Sequence, residues 1–148
     1  QRFSTRADMP QMIVDFCEES GQALPTAPAQ ILRTLMDSLA MKCAFVLERL
    51  EEVIGHRVEV LHIIGGGGQN DMLSQCIANS INRPVVVGPY EATAAGNLMM
   101  QMVACGEMNS LTEGRAMIRS SFETKRFEPQ DDMKWRKAYE RFCQLLPT

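Results

Sequence analysis

Four consecutive glycines, Gly65-Gly66-Gly67-Gly68, stand between an apolar strand signal and a helix signal, and no other feature constrains this chain as strongly. Glycine loses more conformational freedom on folding than any other residue. A run of four is therefore costly unless the backbone must take positive φ there or be approached closely. A strand that turns through such a loop into a helix offers unpaired N–H donors and the positive end of a helix dipole. Both suit phosphate, or the phosphate and ribose edge of a nucleotide. A flexible turn is the plain alternative, yet a plain turn seldom needs four glycines.

The flanking residues predict the surroundings. Val58 to Ile64 reads as a strand, rich in β-branched residues and apolar enough for a central parallel position. A helix is predicted from about Asn70 to Ile81, and a second short strand from Pro84 to Val87 closes at Gly88-Pro89. Upstream, Asp8 and Pro10 open a helix that Gly21 stops. A long helix follows from about Ala29 to Ile54, with apolar residues at intervals of three and four and Gly55 as its stop. Downstream, a helix from about Glu91 to Cys105 is apolar nearly all round, which predicts burial on more than one side. Helices over Thr112 to Ser120 and Asp131 to Leu146 complete the chain, the last carrying Trp135, Tyr139 and Phe142. Two parallel strands make a poor sheet for so many helices. The expectation is an α/β unit with a short parallel sheet from which an N-terminal set of strands is missing. The start at Gln1 without a Met points the same way, to a processed or truncated piece.

Composition excludes several classes. Forty-five per cent apolar residues excludes a disordered chain, and a net charge of −3 with scattered Lys and Arg speaks against nucleic acid as a partner. The longest uncharged run, Ala92 to Gly106, is too short for the ~20 apolar residues a membrane helix needs, and no signal peptide opens the chain. Five widely spaced cysteines without a CxxC pair suggest reduced thiols and a cytoplasmic protein. His56 and His62 have no ligand spacing around them, so no metal site is expected from the chain itself.

The nucleotide class is narrowed by what the loop lacks. A P-loop is excluded, because no Lys lies between Arg57 and Arg83. The dinucleotide pattern GxGxxG is nearly met by Gly65 and Gly67, but its third position is Asn70, and two helices rather than a strand open the chain.

The stretch His62 to Asn70, then Leu73 and Gln75, then Arg83-Pro84-Val85-Val86-Val87-Gly88-Pro89-Tyr90-Glu91-Ala92-Thr93-Ala94-Ala95-Gly96-Asn97, resembles the C-terminal domain of carbohydrate kinases of the FGGY family. The resemblance runs from about Phe3 to Pro129. With Asp37-Ser38-Leu39-Ala40 upstream, the second motif is most similar to the branch acting on L-rhamnulose. The resemblance implies an actin-like, ribonuclease-H-like fold of two domains with ATP and Mg2+ in the cleft between them. By position it places Gly65, Gly66, Gly67, Gly68, Gln69 and Asn70 at the nucleotide, with Asn70 toward the nucleoside. It gives Glu91, Thr93 and Gly96 supporting roles, Glu91 by hydrogen bonds to the loop and the small residues by close packing beside it. Simple core packing is the plain reading for Thr93 and Asn97. Asn79 stands where many members carry an acid.

The resemblance implies that the catalytic base and sugar-binding residues belong to an N-terminal domain, which is expected to lie outside residues 1–148. Residues 1–148 are thus expected to be an ATP-binding fragment, inactive alone, that packs against the rest of its own kinase chain. No carboxylate here replaces the base: Asp71 suits a helix start, Glu18-Glu19 and Glu51-Glu52 lie on solvated faces, and Asp131-Asp132 open a helix. Two alternatives stay open, a kinase of the same family for another ketose or polyol, and a non-catalytic nucleotide-binding or interaction module.

Overall fold

Pro28 and Gly55 bracket the longest element, proline because a first-turn residue needs no N–H partner and glycine because it takes the left-handed conformation. The computed structural model describes residues 8–146, so Phe3, where the family resemblance begins, lies outside the described residues. Helix α1 spans Met9–Glu19, capped by Asp8, whose Oδ1 accepts from Gln11 N at 3.3 Å. Helix α2 spans Pro28–Ile54. Its missing first-turn partners are supplied by Gln30, whose Oε1 accepts from Thr26 N at 2.7 Å and Ala27 N at 3.3 Å. Gly55 ends it in the left-handed region.

Strand β1 is Leu61–Ile63, shorter than Val58 to Ile64. Helix α3 spans Asp71–Ile81, and β2 is Val85–Val87. Helix α4 spans Ala92–Ala104, α5 Leu111–Ser121, β3 Lys125–Phe127 and α6 Asp132–Leu145. The sheet runs β1-β2-β3. β1 pairs with β2 in parallel, Leu61 opposite Val85, and β2 pairs with β3 antiparallel, Val87 opposite Lys125. Two expectations are corrected here. The central strand is β2, because Val85 and Val87 are wholly buried while β1 has a neighbour on one side only. The sheet is mixed rather than parallel, because β3 adds a third strand that the charged Lys125-Arg126 concealed.

The core lies between α2, α3, β2 and α6, where Ala40, Ala44 and Leu47 meet Cys76, Ile77, Ala78 and Ile81, with Trp135 closing one side. Arg83, just ahead of β2, ties the end of α2 to the segment that leads into β1: its guanidinium donates to Glu51 and, at 3.0 Å, to Val58 O. Asn79 packs and pins, taking hydrogen bonds at its Oδ1 from Gln75 Nε2 at 2.9 Å and Gln130 N at 2.8 Å.

The predicted burial of α4 is overturned. None of its residues is buried, and Leu98 and Met100 are 59% and 52% exposed, because among the described residues α5 supplies its main packing partner. A second apolar seam, Leu32, Leu39, Val46 and Val53 at every seventh residue of α2, is likewise open. The chain exposes 10137 Å², whereas a folded monomer of its mass exposes about 7,600 Å².

Candidate functional site

The glycine loop is built one residue at a time. Gly65 leaves β1 at φ 78° and ψ −171°, a conformation that a side chain at this position would strain. Gly66–Gln69 then form one 3-10 turn, with Gly68 N donating to Gly65 O at 3.2 Å. Gly68 is buried, and a Cβ there would stand 2.5 Å from Val87 Cγ1. Asn70 closes the loop as the N-cap of α3, its Oδ1 accepting from Leu73 N at 3.0 Å. The expected loop thus divides by cause. Gly65 is required by dihedral and Gly68 by packing. Gly66 and Gly67 are required by neither: both are exposed and a Cβ on either would meet nothing within 4 Å. Their N–H groups, first in the turn, donate to no backbone carbonyl.

A second loop leaves the same end of the sheet. Gly88 N donates to Ile63 O at 2.9 Å, and the cis peptide Gly88-Pro89 leads through Tyr90 to Glu91, the N-cap of α4. Both loops lie outside the carboxyl ends of parallel strands, where open α/β sheets receive ligands. β3 begins at this rim, and Lys125 Nζ donates to both carboxylate oxygens of Asp71 at 2.8 Å. The Asp71 hydrogen bond is the first cause holding the Lys125 ammonium above its ordinary value, with smaller contributions from the charges of Asp71 and nearby Tyr90.

Gly65 to Asn70 are therefore brought together, and no hydrogen bond among the described residues joins Glu91, Thr93 or Gly96 to them. Glu91 has no side-chain hydrogen bond, Thr93 is exposed, and a Cβ on Gly96 would meet nothing within 4 Å. The expected hydrogen bonds from Glu91 to the loop and the close packing of α4 beside it are absent among the described residues. Asp71 is paired rather than capping, since Asn70 takes the cap. Lys125 went unnoticed in the sequence because the strand that carries it did; a basic pair ahead of Phe127 was its only signal.

Two other concavities lie elsewhere. One, of about 600 Å³, is an open depression lined by Glu48, Glu51, Glu52, Gly55, His56 and Arg57. The other, of about 230 Å³, is an apolar groove between α4 and α5, where Gly114 admits the sulfurs of Met99 and Met108. Neither is lined by the glycine loop. Among the described residues no group of three or more His, Cys, Asp or Glu could hold a metal ion, and no helix is long and apolar enough to cross a membrane.

Residues 2–105 match the family model described as the FGGY family of carbohydrate kinases, C-terminal domain. Among curated relatives, the rhamnulokinase of Bacteroides thetaiotaomicron is 43% identical over 140 residues, covering 95% of this chain and 29% of that protein. That of Bacillus subtilis is 37% identical over 131 residues, covering 88% of this chain and 27% of that protein. The crystal structure of Plasmodium falciparum glycerol kinase with ADP superposes with a TM-score of 0.70 at 23% identity, over 84% of this chain and 25% of that one. This likeness, with the family match, bears out the expected fold class, a helix-rich α/β portion of an actin-like fold, with the sheet mixed rather than parallel. The chain spans about three tenths of the length of the curated relatives it matches.

Proposed function

The chain belongs to the FGGY family of carbohydrate kinases, matching its C-terminal domain, and on that premise we propose that it is the nucleotide-binding part of an ATP-dependent kinase for L-rhamnulose. The observation that carries this reading is the idle pair Gly66 and Gly67. The fold needs glycine at Gly65 and Gly68, but among the described residues nothing lies within 4 Å of a Cβ on either of the other two. A bare backbone with free N–H groups, at the head of a capped helix, is what close approach of phosphate requires. Gln69 and Asn70 border the same surface. The names of the relatives, rhamnulokinases at 37% and 43% identity, support the sugar.

In this reading the ATP γ-phosphate passes to the 1-hydroxyl of L-rhamnulose. Gly66 and Gly67 hold phosphate by backbone N–H donors, the α3 dipole favours its charge, and Gly65 and Gly68 fix the loop against β1 and β2. Bound ATP supplies the phosphoryl group. Mg2+ would enter with the nucleotide's phosphates, the described residues offering no cluster of three or more ligands of their own. The catalytic base and the sugar site are assigned to the part of the kinase this chain does not span. That part would cover α4 and the α2 seam, which accounts for the excess exposed area, and it would meet the outward side of Glu91, Thr93 and Gly96. The same excess argues against a stand-alone binding module. We place the enzyme in the cytoplasm, in keeping with its free cysteines.

Full-length kinase carrying this domain, assayed with Mg-ATP against L-rhamnulose, L-fuculose, xylulose and glycerol, tests the reading. Strong preference for L-rhamnulose is the expected result. Transfer to another of these substrates overturns the sugar and keeps the fold and site. No transfer to any of them, from a folded protein, overturns the kinase assignment.

A further inference from the structure

Asp71 puts a carboxylate on the first turn of α3, the turn whose N–H groups and dipole face the glycine loop. Left alone, that charge opposes a polyphosphate arriving at Gly66 and Gly67. Lys125 meets it from another element. It stands opposite Val87 in the β2–β3 register, at the rim from which both loops leave, and its ammonium grips both Asp71 oxygens. We propose that Lys125 is a positioning residue of the nucleotide site that acts through Asp71, turning the carboxylate onto itself and cancelling its charge so that the helix start receives phosphate. The inference rests on the nucleotide-binding reading above.

Neither capping nor packing explains the pair. Asn70 already caps α3, so Asp71 is free of that task. The two side chains are 54% and 53% exposed, a setting in which an ion pair adds little to folding. What the pair changes is the charge at the mouth of the loop.

The test is calorimetric binding of ADP and of adenosine to the full-length kinase at low salt, for the wild type, Lys125→Gln, Asp71→Asn and the double variant. Lys125→Gln is expected to weaken ADP about three- to tenfold while leaving adenosine, which has no phosphate, unchanged. Asp71→Asn is expected to restore ADP affinity in the double variant, and added salt to shrink the difference. Equal ADP affinity in Lys125→Gln and wild type overturns the proposal. A loss that Asp71→Asn does not restore also overturns it, by making Lys125 a direct phosphate contact, and a loss shared by adenosine overturns it by marking a structural role. Failure of the wild type to bind ADP at all overturns the nucleotide-binding reading, and this inference with it.

Discussion

Gly68 and Val87 meet with no room for a methyl group between them: a Cβ on Gly68 would stand 2.5 Å from Val87 Cγ1 and 3.4 Å from Ile63 Cγ2. Val87 is itself 1% exposed, so it has nowhere to retreat. Gly68→Ala is therefore expected to cost about 1–3 kcal/mol by overpacking, read as a lower denaturant midpoint at unchanged slope.

Gly66→Ala and Gly67→Ala separate function from stability. A methyl group at either position enters open space, so the denaturation midpoint should stay close to wild type. ADP affinity of the full-length kinase, measured by titration calorimetry, should fall at least tenfold (about 1.4 kcal/mol) if phosphate lies against this backbone. Unchanged affinity would remove the glycine loop from the site.

Trp135 is 7% exposed and joins α6 to the α2–α3 core. Trp135→Ala should cost about 3–5 kcal/mol, and urea unfolding followed by circular dichroism would show it.

Glu51 gives the fold a defined acid sensitivity. Its carboxyl is held below its ordinary value, first by the hydrogen bond from Arg83 and then by that from Val58 N–H. A depressed folded-state pKa contributes stability that is present above the unfolded value and lost as pH falls through the folded one. The melting temperature should therefore drop as pH falls below about 4.3, and Glu51→Gln should flatten that part of the profile.

Thiol chemistry should sort by burial. Cys105 and Cys143 are exposed, whereas burial raises the thiols of Cys17, Cys43 and Cys76. With a disulfide reagent at pH 8, Cys105 and Cys143 should react first, and buried Cys17 and Cys76 only on unfolding. Peptide mapping of the labelled protein would check the order.

Local chemistry written in side chains was the legible part. Asp8 and Gly55 act where cap preferences place them, and the glycine loop stands between strand and helix as expected, though Asn70 rather than Asp71 caps α3. What depended on partners was not legible. Leu98 and Met100 are apolar as a buried helix demands, but periodicity reports only that a face seeks cover, not that this chain supplies it. β3 escaped notice because its three residues, two of them charged, carry no alternation, and its pairing with β2 is decided about forty residues away in sequence. Within the site, residues adjacent in sequence were readable, while Lys125, joined to Asp71 through space, was not.

The sheet's two borders differ in kind. On one side β3 presents Lys125 and Arg126, charges that discourage another strand from adding there. On the other side β1, Leu61-His62-Ile63, has no neighbouring strand among the described residues and no such pair of charges. A sheet open on one flank only cannot pass growth along. The unguarded flank is the one that can take further strands of a longer kinase chain, while the charged flank closes the sheet.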